Sequence, residues 1–355
     1  MKSSLSKYRD KVSSDFFKEI FESDLVKSNE TRQTFRGLHI YAIDGDQLDL
    51  PASRDVFSKG YRGYPISKSD ETHYPKMYTV QALDVINGRV QKFACSNKFA
   101  ELNLARTLVG ELEKESLTIY DRLYACYDTL AAHEKIGSYF LVRARSENSR
   151  LAPVVAEFYR SKRRSIWTEF LPAKTDRALK NPIPIRLIKV RNKKTGKDFV
   201  FMTNLPEGRF RNKEIGELYQ RRWAIESSFK DLTDTLTMGQ WHSKKLDGIL
   251  QEIYALLWFV NNVRRMTSVI KSKSDSLLER RYRKSNFKFI AILLIEHLDL
   301  LIKKHHRKLE RILHFWAEKS AENREHLLRS YPRQVRSFGK KYRNASRAPR
   351  GRQTG

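Results

Sequence analysis

The spacing of apolar side chains changes several times along the chain, and each change predicts a different kind of element. Five apolar side chains near the start recur at helical spacing among polar neighbours: Phe16, Phe17, Ile20, Phe21 and Leu25. This spacing predicts a small helical N-terminal module over residues 1–36. The next segment has a different pattern, which marks the boundary of that module.

Residues 37–146 alternate short apolar runs with amphipathic stretches. The runs LHIYAID, MYTVQALDV, RVQKFACS, SLTIY and YFLVRAR are typical of strands, and Asn87-Gly88 predicts a tight hairpin turn between the second and third runs. Helical spacing covers about 98–114 and 123–135. Strands that alternate with helices predict an α/β layer, the first part of the core.

The second half of the chain begins with strand-like segments and ends in helices. Over 147–210 the pattern predicts strands without helices, and we interpret this segment as a β insertion into the α/β core. Helical spacing returns over 211–268, with Asn212 as the predicted N-cap, and over 269–332, a helical C-terminal region. Residues 333–355 are rich in arginine and lysine and contain no acid, which predicts a flexible basic tail.

Charge narrows the class of partner. The chain has 69 Lys plus Arg against 41 Asp plus Glu, a formal net charge of +28. Double-stranded DNA is the first expectation for such a protein, with the N-terminal module as a DNA-binding part. No apolar run approaches the roughly 18 residues of a membrane span, so no membrane partner is expected. The start lacks a secretory signal, and Cys95 and Cys126 lack metal-ligand spacing, so we expect a cytoplasmic protein.

Three acids lie where the predicted elements end or meet. Asp44 ends the run LHIYAID, where Gly45 predicts a sharp turn, and Asp121 directly follows SLTIY. Glu226 lies on the helix after the insertion. Ligand sites gather at the carboxyl ends of strands, so the three carboxylates are predicted to converge. Oxygen ligands without His or Cys favour Mg²⁺, and two such ions can activate a nucleophile for phosphodiester cleavage.

Each acid taken alone also has an ordinary explanation. A strand-end aspartate commonly caps a turn, and a helical glutamate among basic neighbours forms solvated i,i+4 pairs. Asp46 and Asp49 are alternatives to Asp44, and they rank lower because they lie beyond the expected turn. The structural and the functional interpretations therefore both remain open at the level of single residues.

The helix that carries Glu226 has the most specific pattern. In YQRRWAIESSFKDLT, five side chains fall along one helical stripe: Tyr219, Arg222, Glu226, Lys230 and Thr233. The spacing of Tyr219, Arg222 and Glu226 resembles the third block of bacterial insertion-sequence transposases of the DDE class. That block has a Tyr-Arg-Glu-Lys signature. Here Thr233 stands at the lysine position, and Lys230 lies one turn earlier on the same stripe.

Two further segments resemble the same transposases. IDGDQLDLP is similar to their first block, and DRLYACYDTL is similar to their second, with Leu123 in place of a glycine. The resemblance implies a ribonuclease H-like core with a β insertion between the second and third acids, plus helical N- and C-terminal parts. It implies that Asp44, Asp121 and Glu226 are catalytic and bind Mg²⁺, for which Mn²⁺ can substitute.

The resemblance also implies a reaction and a cellular location. A homodimer would pair two transposon ends at their terminal inverted repeats, cleave them and join the 3′-OH to target DNA by cut-and-paste. Such a protein belongs in the bacterial cytoplasm, on the nucleoid when it is bound to DNA.

The resemblance and the local charge together give six candidate DNA-binding residues: Tyr219, Arg222, Lys230, Arg163, Arg164 and Trp167. In similar enzymes the signature Tyr and Arg contact DNA near the cleaved phosphate, and Lys230 adds a point charge. Trp167 is the candidate to hold a flipped base, and a tryptophan that anchors the β insertion is the alternative. The two arginines are expected either to contact the DNA backbone or to form a solvated basic turn.

Two other functions stay open from the sequence. A site- or structure-specific nuclease of the same fold would share the acids and the metal but lack strand joining. A catalytically silent, transposase-derived DNA-binding protein would keep the charge alone. The presence of all three acids favours an active enzyme.

Overall fold

The computed structural model describes residues 8–28, 32–63, 74–144, 153–171, 181–191, 196, 198–273, 287–303 and 305–322. The strands are β1 (His39–Asp49), β2 (Lys76–Asp84), β3 (Arg89–Ser96), β4 (Ser116–Tyr120), β5 (Tyr139–Arg143), β6 (Ser165–Phe170), β7 (Ile183–Arg191) and β8 (Asp198–Thr203). The α-helices are α1 (Ser14–Ser28), α2 (Arg54–Ser58), α3 (Glu101–Val109), α4 (Tyr127–Ile136), α5 (Pro153–Arg160), α6 (Asn212–Gln220), α7 (Trp223–Lys230), α8 (Leu246–Lys273), α9 (Phe287–Glu296), α10 (Leu298–Ile302) and α11 (His306–Glu322).

Eight strands form one mixed sheet in the order β3-β2-β1-β4-β5-β8-β7-β6. The central strands β1, β4 and β5 run parallel, and β2 and β3 continue from β1 in antiparallel pairs. On the other side, β8, β7 and β6 continue from β5, each antiparallel to its neighbour. The strands of 147–210 therefore extend the edge of the core sheet, and the predicted mixed α/β architecture is confirmed.

The hairpin between β2 and β3 forms where the sequence predicts it. Gly88 has φ +68°, a left-handed conformation that glycine adopts without strain, and its N–H donates to Asp84 O at 2.7 Å. The Asp84 carboxylate accepts from the backbone N–H groups of Ile86 and Asn87, at 3.0 and 2.9 Å. These bonds fix the turn and hence the register of β2.

The first strand is longer than its apolar run. No turn occurs at Gly45, because β1 continues to Asp49 and pairs with β2 along its whole polar half. The expectation of a sharp turn at Gly45 is therefore wrong, and Asp46 lies in the same strand as Asp44. Polar side chains and glycine are poor strand formers, but the buried neighbour β2 supplies the pairing that keeps this segment extended.

Three helical expectations also need correction. The segment 147–210 contains α5, so it is not made of strands alone. The pattern around Glu226 predicts one helix, but the chain forms α6 and α7 with a tight turn at Arg221 and Arg222 between them. Asn212 is the first residue of α6 and accepts a hydrogen bond from Arg186 at 2.6 Å, while Arg211 is the N-cap.

Helices cover both faces of the sheet. On one face α3 and α4 bury apolar side chains of the central strands, and on the other face α6, α7 and α8 do so. Phe21 and Leu25 of α1 are buried in the same cluster as Leu257 and Val260 of α8, so the N-terminal helix packs on the core. The last helices, α9 to α11, pack around Val263 and Met266 near the end of α8.

The predicted basic tail, 333–355, lies outside the described residues. None of the helices in the described part of the chain has the length and hydropathy needed to cross a bilayer.

Candidate active site

The sheet brings the strands of the first two acids side by side. β1 and β4 are parallel neighbours, and their register runs to Ala42 and Ile119, two residues before Asp44 and Asp121. The negative charge of Asp121 acts on the Asp44 carboxyl, so the two acids lie near each other. Asp121 directly follows β4, and its Oδ1 accepts the Leu123 N–H at 2.6 Å to start a 3₁₀ turn over Arg122–Tyr124.

Arg222 links the first acid to the third. Its Nη1 lies 3.4 Å from Asp44 Oδ2, and its Nη2 donates to Glu226 Oε1 at 2.6 Å. The turn between α6 and α7 points this side chain at β1, and the guanidinium is largely buried. The i,i+4 pair expected from the sequence is therefore present, and it also reaches the strand acid, so Asp44 and Glu226 share one cation.

Asp44 has both acidic and basic neighbours. Its pKa is raised to about 6, first by burial and also by the negative charges of Asp121 and Glu101. The N–H of Gly45, which donates to Asp44 Oδ1 at 3.0 Å, and the charge of Arg222 act in the opposite direction. Any cation that enters the site therefore stabilises the charged form of Asp44.

Glu101 is an acid of this site that the sequence analysis missed. It begins α3, and its carboxyl group rests on Gly45: a Cβ built at Gly45 would lie only 2.6 Å from Glu101 Cδ. Tyr124, which is fully buried, donates its hydroxyl to Glu101 Oε1 at 2.7 Å. The glycine is required for this close approach. An acid in the first turn of a helix was the available sequence signal, and it is a weak one.

Tyr219 lies beside the same acids. Burial raises its pKa, the nearby guanidinium groups of Arg222 and Arg143 lower it, and the charge of Asp121 raises it. The Tyr219 ring packs on Phe201 with centroids 4.7 Å apart. Arg143 ends β5 and lies over the ring of Phe199, so it is a second cation close to Tyr219 that the sequence analysis missed. Its position at the carboxyl end of a central strand could have identified it.

Lys230 and Thr233 follow on the same helix. Lys230 is exposed at the end of α7, and the chain then forms a π-helical turn over Asp231–Thr235, a feature frequent near functional sites. The Thr233 hydroxyl lies 3.0 Å from Phe229 O and 3.1 Å from Asp234 Oδ1, either of which can accept its proton. Of the two, Lys230 has the side chain that can reach an anion.

The candidates on the insertion lie far from the acids within this chain. Trp167 is on β6, four strands from β4, which corresponds to roughly 19 Å. Its side chain is 48% exposed, so the ring does not anchor a core. Arg164 pairs with both oxygens of Asp198 at 3.0 Å, and Arg163 is exposed. The structure does not bring these three residues to Asp44.

The donor set suits a hard divalent cation, because Asp44, Asp121 and Glu226 offer only carboxylate oxygens. Within the described residues, no three carboxylate, imidazole or thiol groups lie close enough together to hold a metal. The positively charged guanidinium of Arg222 instead lies between Asp44 and Glu226, where a metal ion would otherwise bind. Both carboxylates therefore already point to a shared positive charge.

The site thus combines an aspartate within β1, an aspartate that follows β4 and a glutamate on α7, with Arg222 between the first and the third. Residues 36–262 match the family described as "Transposase DDE domain". The chain belongs to this transposase family, and its matched residues include all three acids.

Comparisons with curated proteins and with solved structures give less information about this chain. No functionally curated protein matches the sequence. Among solved structures, the chain is similar to piggyBac transposase in a synaptic complex with hairpin DNA, with 12% identity and a TM-score of 0.42. The similarity covers 85% of this chain and 59% of the piggyBac chain, so this chain corresponds to about three fifths of that protein's length.

Proposed function

We propose that this transposase binds the terminal inverted repeats of a mobile element, cleaves the ends by metal-dependent phosphodiester hydrolysis and joins the 3′-OH to target DNA. The observation that carries the proposal is the shared contact of Arg222 with Asp44 and Glu226, near Asp121, which follows the neighbouring strand β4. Membership of the DDE family supports the same reaction.

We assign metal binding to Asp44, Asp121 and Glu226, with Mg²⁺ as the natural ion and Mn²⁺ as a substitute. When bound, the metal supplies Lewis-acid activation of the nucleophile and stabilisation of the leaving oxygen. The backbone N–H of Gly45 holds Oδ1 of Asp44, and Oδ2 faces the guanidinium of Arg222, the position that a metal ion would take. The chemistry thus depends on carboxylates whose directions the strands and α7 already set.

Tyr219, Arg222 and Lys230 are proposed to bind the DNA strand that carries the reacting phosphate. Arg222 offers a planar fork that suits phosphate, and Tyr219 offers a ring and a hydroxyl at the edge of the acids. Arg222 neutralises two carboxylates in the free protein, so a DNA phosphate that binds it also releases those acids. Binding of the DNA end and assembly of the site are therefore expected to be coupled.

The strand order β3-β2-β1-β4-β5 supports assignment of this half of the sheet to a ribonuclease H-like core, with 147–210 as the insertion. Residues 1–36 would add DNA contacts, as would the basic tail 333–355. We further propose that two chains pair two DNA ends in a synaptic homodimer in the bacterial cytoplasm. The close match of residues 219–226 to the signature spacing supports assignment to the Tyr-Arg-Glu-Lys group.

The experiment starts from the DNA that flanks the coding sequence. Inverted repeats found there supply duplexes for binding, cleavage and strand-transfer assays in Mg²⁺ and Mn²⁺. We expect Asp44→Asn, Asp121→Asn and Glu226→Gln to abolish cleavage while end binding stays within a few-fold of wild type. Asp46→Asn is the matched control, because Asp46 is an acid on the same strand and the same face as Asp44.

Three outcomes separate the candidate functions. Cleavage followed by joining supports a transposase, and cleavage without joining in any condition indicates a nuclease. End binding by the wild-type chain without cleavage in either metal indicates a catalytically silent protein. Full activity of any one of the three acid variants removes that residue from the site.

A further inference from the structure

Gln81 is the cross-strand neighbour of Asp44. In the antiparallel pair of β1 and β2, Asp44 stands directly opposite Gln81. Side chains at opposed positions share one face of the sheet, with Cβ atoms about 5 Å apart. Gln81 is 1% exposed, and neither its Oε1 nor its Nε2 has a hydrogen-bond partner among the described residues.

A fully buried amide without partners is unusual in a folded protein. Such a group destabilises the fold, and an apolar side chain of similar size would fill the same space without that cost. Here the unsatisfied amide lies next to a carboxylate with incomplete bonding. Among the residues that the structure describes, Asp44 Oδ2 has one hydrogen-bond donor, Arg222 Nη1, at the long distance of 3.4 Å.

We propose that Gln81 is a positioning residue for Asp44. When Arg222 leaves Asp44 for a DNA phosphate, the Gln81 amide N–H donates to the Asp44 carboxylate and fixes its orientation for the metal. The inference rests on the proposed function, since it takes Asp44 as a metal ligand. The inference adds Gln81 to the three acids, and the role of Gln81 is to hold Asp44.

A hydrogen bond from a neighbouring side chain to a ligand carboxylate has a measurable effect on metal binding. Loss of such outer partners typically lowers metal affinity by about 10- to 100-fold. Gln81→Leu removes the donor and also the unsatisfied amide. It should therefore weaken metal binding while leaving the melting temperature unchanged or higher, and a purely structural role predicts that both fall together.

The experiment measures Mn²⁺ binding to the full-length chain by electron paramagnetic resonance of the free ion. It is run in the wild-type background and again with Arg222→Ala, which frees the carboxylates without DNA. Gln91→Leu is the matched control, because Gln91 is also buried with an unpaired Nε2 but lies on β3, two strands from β1. Gln81→Met keeps the side-chain length without the donor, in case the leucine variant does not fold.

We expect Gln81→Leu and Gln81→Met to bind Mn²⁺ about 10-fold more weakly with an undiminished melting temperature, and Gln91→Leu to bind normally. Unchanged Mn²⁺ affinity in both Gln81 variants, with weaker binding by Asp44→Asn, would overturn the positioning role alone. A fall in melting temperature that accompanies weaker binding in both variants also overturns it. Unchanged binding by Asp44→Asn would instead contradict the proposed metal site.

Discussion

Gly45→Ala tests the close packing beneath the acids. The new Cβ would lie 2.6 Å from Glu101 Cδ, 2.7 Å from its Cγ and 3.0 Å from its Oε1, so the Glu101 side chain must turn away. Tyr124 then loses the acceptor that its hydroxyl contacts at 2.7 Å in a fully buried position. A buried unsatisfied hydroxyl costs about 1–3 kcal/mol, and alanine in place of glycine in a strand returns about 0.5–1 kcal/mol.

A double-mutant cycle isolates this effect. In a Tyr124→Phe background no hydroxyl is left unsatisfied, so Gly45→Ala should destabilise the protein by about 1–2 kcal/mol less than in wild type. The free energy of unfolding from urea titration, followed by circular dichroism, measures all four proteins. Equal costs of Gly45→Ala in the two backgrounds, to within roughly 0.5 kcal/mol, would refute the argument, because the two sites would then be independent.

Three further predictions concern charge, protonation and stacking. Arg222→Ala should weaken binding to DNA ends and reduce the slope of log K against log salt by about 0.9; an unaltered slope would contradict a phosphate contact. Burial lowers the pKa of His133 to about 3, so its contribution to stability is present above the ordinary value of 6.5 and is lost as the pH falls below it. Between pH 7 and 5 the wild type should therefore lose about 2 kcal/mol more unfolding free energy than His133→Gln, and equal losses would show that His133 titrates normally. Trp167→Ala should change the fluorescence of 2-aminopurine placed at the terminal bases of a bound end, because stacking on the ring alters its emission, and Trp223→Ala, on α7, is the comparison; unchanged fluorescence would remove Trp167 as the stacking residue.

The parts of the site that follow simple sequence rules could be predicted. Asp121 ends a fully buried strand, so both the strand and the acid at its end are visible in SLTIYD. The Asn87-Gly88 turn is local chemistry and is equally visible. The stripe that contains Arg222 and Glu226 follows from helical period alone, and the pair it predicts is present.

The remaining parts depend on tertiary contacts. β1 continues past Gly45 because β2 pairs with it, which a weak local propensity does not reveal. Glu101 reaches the site only because α3 packs on the face of the sheet below Gly45, a contact between distant segments. The contact between Arg222 and Asp44 likewise joins segments that are distant in the chain. Residue type and spacing thus predicted the Arg222–Glu226 pair, and packing determined which further side chains surround it.

The position of Asp44 in the middle of β1 has a mechanical consequence. β1 is hydrogen-bonded to β2 along its length and to β4 before the acid, so the backbone at Asp44 is held in place. Glu226, in contrast, lies on an eight-residue helix between a tight turn and a π-helical turn. The two carboxylates that Arg222 joins are therefore carried by unlike supports, one inside a paired strand and the other on a short helix.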